Sequence, residues 1–327
     1  MLKIGVIGLG GIAGIHISAY RKLEGVKIVA VADSMGESAR SYGLIENSDV
    51  RLYTDACEML RREELDIVDI CAPTHLHEEL SIKALSMGFN VICEKPMAMD
   101  SSSANRILDA ANASGKIFMV AHVVRFSNPY AYLYHVIKSG ELGAPVSLSM
   151  QRLSEVPAWR RDGVKGNQAK NGDVVIDLAI HEIDFVNSIF GKPDTINGAY
   201  RKATEGNANN YVSFNLTYGK TAVNILSGFY TAKIPFRYSY RAIFENGYVY
   251  LADDTLIKNG EPVDALDVVF PGEAEGMNIE LTTEFTNELE YFVDCVKKGE
   301  KPVRATPEST AETIGIAEKI LENTVKL

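Results

Sequence analysis

The chain has 327 residues, which exceeds the size at which one hydrophobic core keeps growing, so two domains are expected. Hydrophobic residues make up 46% and charged residues 23%, which excludes a disordered chain. The net charge of −10 and the lack of any Lys/Arg-rich run argue against a nucleic-acid partner, because such binding depends on neutralising phosphates. The composition predicts an acidic, folded, cytoplasmic enzyme.

The four cysteines lie far apart and form no C-x-x-C pair, so the sequence predicts neither a disulfide framework nor a zinc site. They are interpreted as reduced core residues. The first apolar run is short and broken by glycine, unlike a signal peptide, and no stretch approaches the roughly 20 apolar residues of a membrane span. We therefore expect no membrane partner.

Residues 1–123 alternate short apolar runs with amphipathic stretches, the pattern of βαβ units around a parallel sheet. This pattern predicts a doubly wound Rossmann domain that binds a dinucleotide. The predicted strands are 2–8, 26–33, 66–71, 89–93 and 117–121. The predicted helices are 11–24, 34–43, 54–62 with Thr54 as N-cap, 75–87 ending on Gly88, and 101–114 ending on Gly115.

Residues 124–327 have a different texture and predict an α+β domain for substrate binding and oligomerisation. Segments rich in Tyr, Val, Phe and Ile between 195 and 270 are separated by turn signals and predict a large, mostly antiparallel sheet. The other predicted elements are a strand at 145–153 and helices at 129–139, 173–190, 280–298 and 307–323.

The segment Gly8-Leu9-Gly10-Gly11-Ile12-Ala13 is a G-x-G-x-x-A motif between the first predicted strand and helix. The glycines permit a tight turn and a close approach of pyrophosphate, and the helix N-terminus offers N–H groups. Asp33 ends the second strand, where a carboxylate accepts hydrogen bonds from ribose hydroxyls and repels a 2′-phosphate. The motif predicts NAD as cofactor. Arg40, a potential phosphate partner, leaves NADP open.

The segment Cys93-Glu94-Lys95-Pro96 follows the predicted strand at 89–93, at the sheet edge where ligands bind in open α/β folds. A lysine beside an oxidised nicotinamide ring feels a like positive charge, which readies it to exchange a proton with a substrate hydroxyl. A plain loop lysine is the alternative.

Asp177, His181 and Asp184 recur at i, i+4 and i+7 in a helix otherwise dominated by apolar residues. Buried polar groups are costly without partners, so we expect the three side chains of this stripe to have polar partners or a functional role. One interpretation places it at the interdomain cleft, with His181 as general base and Asp177 orienting it or the substrate. The alternatives are a structural polar network and, less favoured for want of a third ligand nearby, a metal site.

The glycine turn, the Glu-Lys-Pro segment and the Asp-x-x-x-His helix, in this order and spacing, resemble the glucose-fructose oxidoreductase/inositol dehydrogenase/rhizopine catabolism family (Gfo/Idh/MocA). The resemblance runs through essentially the whole chain. It implies NAD(P)-dependent oxidation or reduction at a hydroxyl carbon of a sugar, inositol or related polyol. It further implies that Lys95 and His181 transfer the proton, that Asp177 binds or orients substrate, and that the cofactor is lined by Pro73, Thr74 and Glu94.

One departure concerns the entry to the proposed catalytic helix, where the family often has consecutive glycines and this chain has Asn171-Gly172-Asp173. The resemblance to the family therefore does not identify the substrate of this chain. Four further residues are candidates for reaching the cleft, each with a packing role as the alternative: His75, His77, Arg125 and Trp159. Of these, Arg125 and Trp159 are the predicted substrate contacts. His16 and His135 are interpreted as structural.

Two other functions remain open on the sequence. A tightly held NAD would serve a closed redox cycle, such as sugar transhydrogenation or redox-assisted glycoside cleavage, and release of free NADH distinguishes it from a dehydrogenase. The second open function is a noncatalytic nucleotide sensor. The presence of Lys95, Asp177 and His181 argues against it, since a sensor needs no proton-transfer residues. The Tyr- and Val-rich sheet predicts a homodimer or homotetramer through its open face, which we expect to be apolar.

Overall fold

A computed structural model describes residues 1–34, 49–157, 170–204, 208–253, 255–264 and 284–327. The chain divides into two units, Met1–Val123 with Glu284–Ala311 and Val124–Thr283 with Glu312–Leu327. The domain boundaries predicted from the sequence assign residues 284–311 to the second domain. These residues cluster with the first unit because the helix Glu284–Lys298 packs on the helix Gly11–Tyr20.

The first unit contains a parallel sheet of six strands in the order β3-β2-β1-β4-β5-β6. This is the strand order of the doubly wound dinucleotide-binding fold, whose ligands bind where the order reverses, here between β1 and β4. The strands are β1 (Leu2–Ile7), β2 (Val26–Ala32), β3 (Arg51–Tyr53), β4 (Ile67–Ile70), β5 (Asn90–Glu94) and β6 (Phe118–Ala121).

Helices connect these strands and largely match the predicted segments. They are α1 (Gly11–Tyr20), α2 (Ala56–Arg62), a 3₁₀ turn (Thr74–Leu76) leading into α3 (His77–Ser86), and α4 (Ser101–Ser114). The predicted helix at 34–43 lies almost entirely outside the described residues. The prediction of Thr54 as N-cap is wrong, since Asp55 accepts the Cys57 N–H at 2.6 Å and occupies that position.

The second unit contains a nine-stranded mixed sheet, mostly antiparallel, in the order β14-β13-β12-β11-β7-β10-β9-β8-β15. Among the described strands of this second sheet, only the pairs β7–β10 and β8–β15 are parallel. The strands are β7 (Pro145–Glu155), β8 (Thr195–Arg201), β9 (Asn210–Tyr218), β10 (Thr221–Tyr230), β11 (Arg237–Phe244), β12 (Gly247–Ala252), β13 (Thr255–Lys258), β14 (Glu261–Pro262) and β15 (Thr324–Lys326).

Four helices and a π-helical turn are the remaining helical elements that the structure describes after β6, apart from the short 3₁₀ turn Val123–Phe126. They are α5 (Asn128–Ser139), the π-helical turn Val175–Ala179, α6 (Ile180–Phe190), α7 (Glu284–Lys298) and α8 (Pro307–Asn323). In the second unit, Tyr130 packs edge-on against Phe185 at 4.9 Å between ring centres and joins α5 to α6. Tyr240 of β11 donates to the Pro129 carbonyl at 2.6 Å. These contacts pack α5 and α6 over one face of the sheet.

The opposite face of the central strands is mixed rather than uniformly apolar, because it carries a row of asparagines together with Leu226 and the stacked rings of Tyr211 and Tyr230. Alternation along β9 and β10 buries residues such as Phe214 and Ile225 and turns Asn215 and Asn224 outward. There Asn224 donates to Asn215 at 3.0 Å and Asn215 donates to Asn197 at 3.2 Å. The fully buried apolar residues of these two strands lie on the covered face.

Three of the four cysteines are buried, and Cys57 is half-buried; all four are free thiols, as predicted. Among the described residues, no helix combines the length and apolar character that crossing a membrane requires.

Candidate active site

The glycine turn between β1 and α1 has the geometry that its motif predicts. Gly8 has a φ of +86°, and a Cβ there would lie 2.8 Å from backbone atoms of Ala72, so only glycine fits. A Cβ on Gly10 or Gly11 would have no atom within 4 Å. The turn is thus tight on its β4 side and open on its other side, which fits a pyrophosphate lying against the backbone.

Asp33 lies beside this turn at the end of β2. Its carboxylate accepts the backbone N–H of Leu9 at 2.8 Å and is half-buried. Ala13, the third small residue of the motif, is fully buried where α1 packs on the sheet, and Ile12 is half-buried. The carboxylate therefore lies beside the glycine turn, and its contact with a cofactor ribose stays a prediction.

The loop after β4 forms the other side of the turn. Pro73 is exposed and Thr74 is buried at the start of the 3₁₀ turn, while His75 is exposed. His77 is buried, with Nδ1 at 2.8 Å from the Pro96 carbonyl and Nε2 at 2.8 Å from the Ala72 carbonyl. Burial lowers the pKa of His77, and the two carbonyls oppose that change.

His77 therefore ties the loop after β4 to the loop after β5. The structure favours the packing alternative for His77. Its ring is buried inside the first unit, and both ring nitrogens lie within hydrogen-bond distance of backbone carbonyls.

Glu94 and Lys95 end β5 at the same edge of the sheet. The Glu94 side chain is buried; its Oε2 accepts the backbone N–H of Lys95 at 3.0 Å and its Oε1 lies 3.1 Å from His16 Nε2. Lys95 is half-buried and the Lys95–Pro96 peptide is cis. The proposed proton-transfer lysine thus follows a carboxylate that holds its peptide group.

In the second unit, the entry to the proposed catalytic helix is shaped by Gly172 and Asp173. Gly172 has a φ of +78°, and a Cβ there would lie 2.7 Å from the Ile176 side chain. Asp173 accepts the Val175 N–H at 2.9 Å and the Tyr200 hydroxyl at 2.9 Å. The departure from consecutive glycines therefore supplies a capping carboxylate to this helix.

Asp177 and His181 stand on the segment that follows. Asp177 lies in the π-helical turn and His181 in the first turn of α6, and both are half-buried while most of their neighbours are fully buried. Single π-helical turns within helices occur frequently at functional sites. The structure thus gives these two residues the partial accessibility that a catalytic role needs.

Asp184, the third member of the predicted stripe, is instead buried in an ion pair with Arg125. Arg125 donates from Nε and Nη2 to the two Asp184 oxygens, both at 2.7 Å, and Thr313 donates to Asp184 at 2.9 Å. This residue therefore belongs to the structural network that was the alternative for the stripe. A substrate contact by Arg125, whose guanidinium makes this bidentate pair, stays a prediction.

A second buried ion pair holds the same helix, and sequence reasoning missed it. Arg152 of β7 donates from Nε to Glu182 at 2.8 Å, and Tyr130 donates its hydroxyl to Glu182 at 3.1 Å. The Arg152 guanidinium also lies 5.1 Å from the centre of the Tyr238 ring. The available signal was a charged residue at an inward position of an alternating strand, paired with Glu182 next to His181.

The remaining predicted residues are placed as follows. His135 is half-buried on α5, and His16 is fully buried on α1, which agrees with a structural role for His16. Trp159 and Arg40 lie outside the described residues.

Two family models match this chain. The model described as "Oxidoreductase family, NAD-binding Rossmann fold" matches residues 2–122, and the GFO/IDH/MocA C-terminal domain matches residues 130–250. An inositol 2-dehydrogenase of Klebsiella pneumoniae is 30% identical over 185 residues, 56% of this chain and 52% of that protein. A D-glucoside 3-dehydrogenase of Escherichia coli is 31% identical over 197 residues, 59% of this chain and 55% of that protein.

The chain thus spans about half the length of the curated relatives it matches. A levoglucosan dehydrogenase in complex with NADH and levoglucosan has the same fold, with a TM-score of 0.82 at 19% identity, covering 98% of this chain and 96% of that one.

Proposed function

Because this chain belongs to the GFO/IDH/MocA oxidoreductase family, we propose that it is a NAD-dependent dehydrogenase of a sugar, inositol or related polyol. The bound nicotinamide supplies hydride acceptance or donation at its C4 atom. The observation that carries this proposal is the glycine turn, open at Gly10 and Gly11 and flanked by the Asp33 carboxylate. The substrate class is that of the relatives, an inositol 2-dehydrogenase and a D-glucoside 3-dehydrogenase.

In this proposal, Lys95 and His181 hold and move the proton of the substrate hydroxyl, and Asp177 orients His181 or the substrate. Positioned acid–base groups of this kind contribute about 10²–10⁴-fold to a rate. Pro73, Thr74 and Glu94 lie on the cofactor side, and Arg125 and Trp159 contribute to substrate binding.

The test is single-turnover hydride transfer measured for Lys95→Ala, His181→Ala and the double variant, with His135→Ala as the control. Each single variant loses about 10²–10⁴-fold in rate while keeping NADH affinity and melting temperature. Because both groups act on one proton, the double variant loses far less than the product of the single losses. Wild-type rates in either single variant contradict the assignment, and a lowered melting temperature with an unchanged rate supports a structural helix instead.

Asp33 carries the proposed preference for NAD over NADP. Replacing Asp33 with Ser removes both the ribose contact and the repulsion of a 2′-phosphate, so the ratio of kcat/KM values for the two cofactors moves toward one. Equal kcat/KM for both cofactors in the unmodified enzyme contradicts this preference. A screen of inositols, aldoses and other polyols with each cofactor, repeated on Lys95→Ala, identifies the substrate.

We also propose that the chain self-associates as a homodimer or homotetramer through the open face of the nine-stranded sheet. Support comes from the outward face of the central strands, which combines the hydrogen-bonded row Asn197, Asn215 and Asn224 with the stacked rings of Tyr211 and Tyr230. Light scattering of the unmodified chain and of Asn215→Arg tests this. The proposal is supported if the unmodified chain is an oligomer and the Asn215→Arg variant is a monomer. It is contradicted if the unmodified chain is a monomer at micromolar concentration. A cytoplasmic location stays a prediction.

A further inference from the structure

His16 lies at the centre of a buried cluster of charged groups in the first unit. Its Nδ1 is 2.8 Å from Asp69 Oδ2 and its Nε2 is 3.1 Å from Glu94 Oε1. The side chains of His16 and Asp69 are 0% exposed and that of Glu94 is 7% exposed. Two carboxylates therefore face one imidazole away from water.

The charge on the ring determines how many of the two contacts can be hydrogen bonds to ionised carboxylates. A neutral imidazole has one N–H and one lone pair, so it can donate to only one of the two carboxylates. Its other nitrogen would then face a carboxylate oxygen lone pair to lone pair. An imidazolium donates to both and offsets one of the two buried negative charges, which are costly without a counter-charge.

The other groups around the ring support the charged form. Burial lowers the pKa of His16, but Asp69 and Cys71 together oppose burial, and the pKa is raised well above its ordinary value. Cys71 donates its thiol to the second Asp69 oxygen at 3.4 Å, and burial raises the pKa of this thiol, so it stays protonated. Tyr20 on α1, Glu288 on α7 and Cys93 on β5 are further titratable groups near this cluster, and His77 interacts with Glu94.

His16, Asp69 and Cys71 also form a set of potential metal ligands. The Nδ1 and Oδ2 atoms are 2.8 Å apart, a direct hydrogen bond. Ligands at roughly 2.0 Å from a tetrahedral zinc ion are separated by about 3.3 Å. The observed spacing thus fits a proton between the two atoms.

The cluster connects two parts of the proposed active site. His16 stands on α1, the helix that begins at the glycine turn, and Glu94 uses its second oxygen to hold the Lys95 N–H at 3.0 Å. We propose that His16 is a positioning residue, an imidazolium that bridges Asp69 and Glu94 and thereby fixes the backbone of Lys95 relative to the glycine turn. Its catalytic consequence rests on the proposed function; its charge state does not.

The charge state is tested by ¹⁵N NMR of the histidine rings in the full chain, with the His16 signals assigned by their loss in His16→Gln. Both ring nitrogens of His16 stay protonated from about pH 6 to 8, above the ordinary histidine pKa of about 6.5. In Glu94→Gln the neutral amide no longer demands a second charged donor, so the His16 titration moves to lower pH. A ring that carries one proton at pH 8 in the unmodified chain overturns the proposal.

The positioning role is tested by single-turnover hydride transfer in a double-mutant cycle of His16→Gln and Lys95→Ala, with His135→Gln as the matched control. His16→Gln lowers the rate on the order of 10- to 100-fold, because small misplacements of reacting groups cost that much. In the Lys95→Ala background it lowers the rate no further, since His16 acts through Lys95. The control is silent in both backgrounds.

The outcomes are distinct. Equal rate losses from His16→Gln in both backgrounds show that His16 supports the fold alone and overturn the positioning role. If His16→Gln does not fold, Glu94→Gln replaces it in the same cycle with the same expectation. A wild-type rate in Lys95→Ala alone contradicts the proposed function and leaves the NMR result to decide the charge state.

Discussion

Each unit contains a buried carboxylate adjacent in sequence to a proposed proton-transfer residue, and each carboxylate is held by a buried cation. In the first unit, His16 holds Glu94, which precedes Lys95. In the second, Arg152 holds Glu182, which follows His181. The two solutions differ in the cation, since a guanidinium is charged at every accessible pH whereas an imidazolium can lose its proton.

This difference teaches how each arrangement responds to its surroundings. The ion pair of Arg152 and Glu182 keeps its charges as pH changes. It depends on packing and on the hydrogen bond from Tyr130. The His16 cluster depends on pH, and its charge balance involves two carboxylates rather than one. The unit that the proposal assigns to cofactor binding thus contains the titratable network.

The largest expected effect comes from breaking the permanent pair. Arg152→Met leaves Glu182 buried without its cation and lowers the free energy of unfolding by about 3–5 kcal/mol, measured by urea denaturation. The double variant Arg152→Met with Glu182→Leu recovers most of this loss, because an apolar pair of similar volume needs no counter-charge. A single variant as stable as the parent contradicts the importance of the pair.

The next effect separates the two cations by pH. The pKa of folded His16 lies above its unfolded value of 6.5, so its stabilisation is complete below pH 6.5 and is lost as pH rises through the folded pKa. The stability difference between the parent and His16→Gln therefore shrinks by about 1.4 kcal/mol per pH unit across that window.

The double variant Arg152→Met with Glu182→Leu provides the reference for this experiment, because it leaves no titratable carboxylate at this site and its difference from the parent stays constant over the same window. Denaturation at a series of pH values makes both measurements. A difference for His16→Gln that is flat, or that grows with pH, refutes a protonated His16 in the folded chain.

The smallest effect compares the helix caps of the two units. Asp100 accepts the Ser103 N–H at 2.8 Å at the start of α4, and Asp173 caps the segment that carries Asp177. Asp100→Ala lowers the free energy of unfolding by about 1 kcal/mol. Asp173→Ala costs more, since it also removes the acceptor of the Tyr200 hydroxyl. Losses in the reverse order, in thermal or urea unfolding, contradict this ranking.

Much of the first unit could be predicted because its information is local. Apolar runs between glycine and capping signals located five of the six strands, and the glycine motif predicted the tight turn at Gly8. The strand Arg51–Tyr53 was missed because three residues, two of them exposed, carry no apolar pattern. Thr54 was taken for the cap that Asp55 provides, because both are cap residues one position apart.

The networks behind the site could not be predicted for the opposite reason. His16 meets Asp69 and Glu94 across 53 and 78 positions, and Arg152 meets Glu182 across 30. Nothing in a local pattern selects these partners, since they depend on how strands and helices pack. The sequence singled out Asp184 only through the cost of burying polar groups, and it singled out His16 only as a structural residue.

The two ends of the nine-stranded sheet have a consequence for how this chain meets others. In the described part of the chain, the sheet ends at Glu261–Pro262 on one side and at Thr324–Lys326 on the other, two very short strands bearing a proline and a lysine. Proline cannot donate to a neighbouring strand, and a charged, short edge offers little to pair with. The broad sheet is therefore protected against strand-by-strand aggregation.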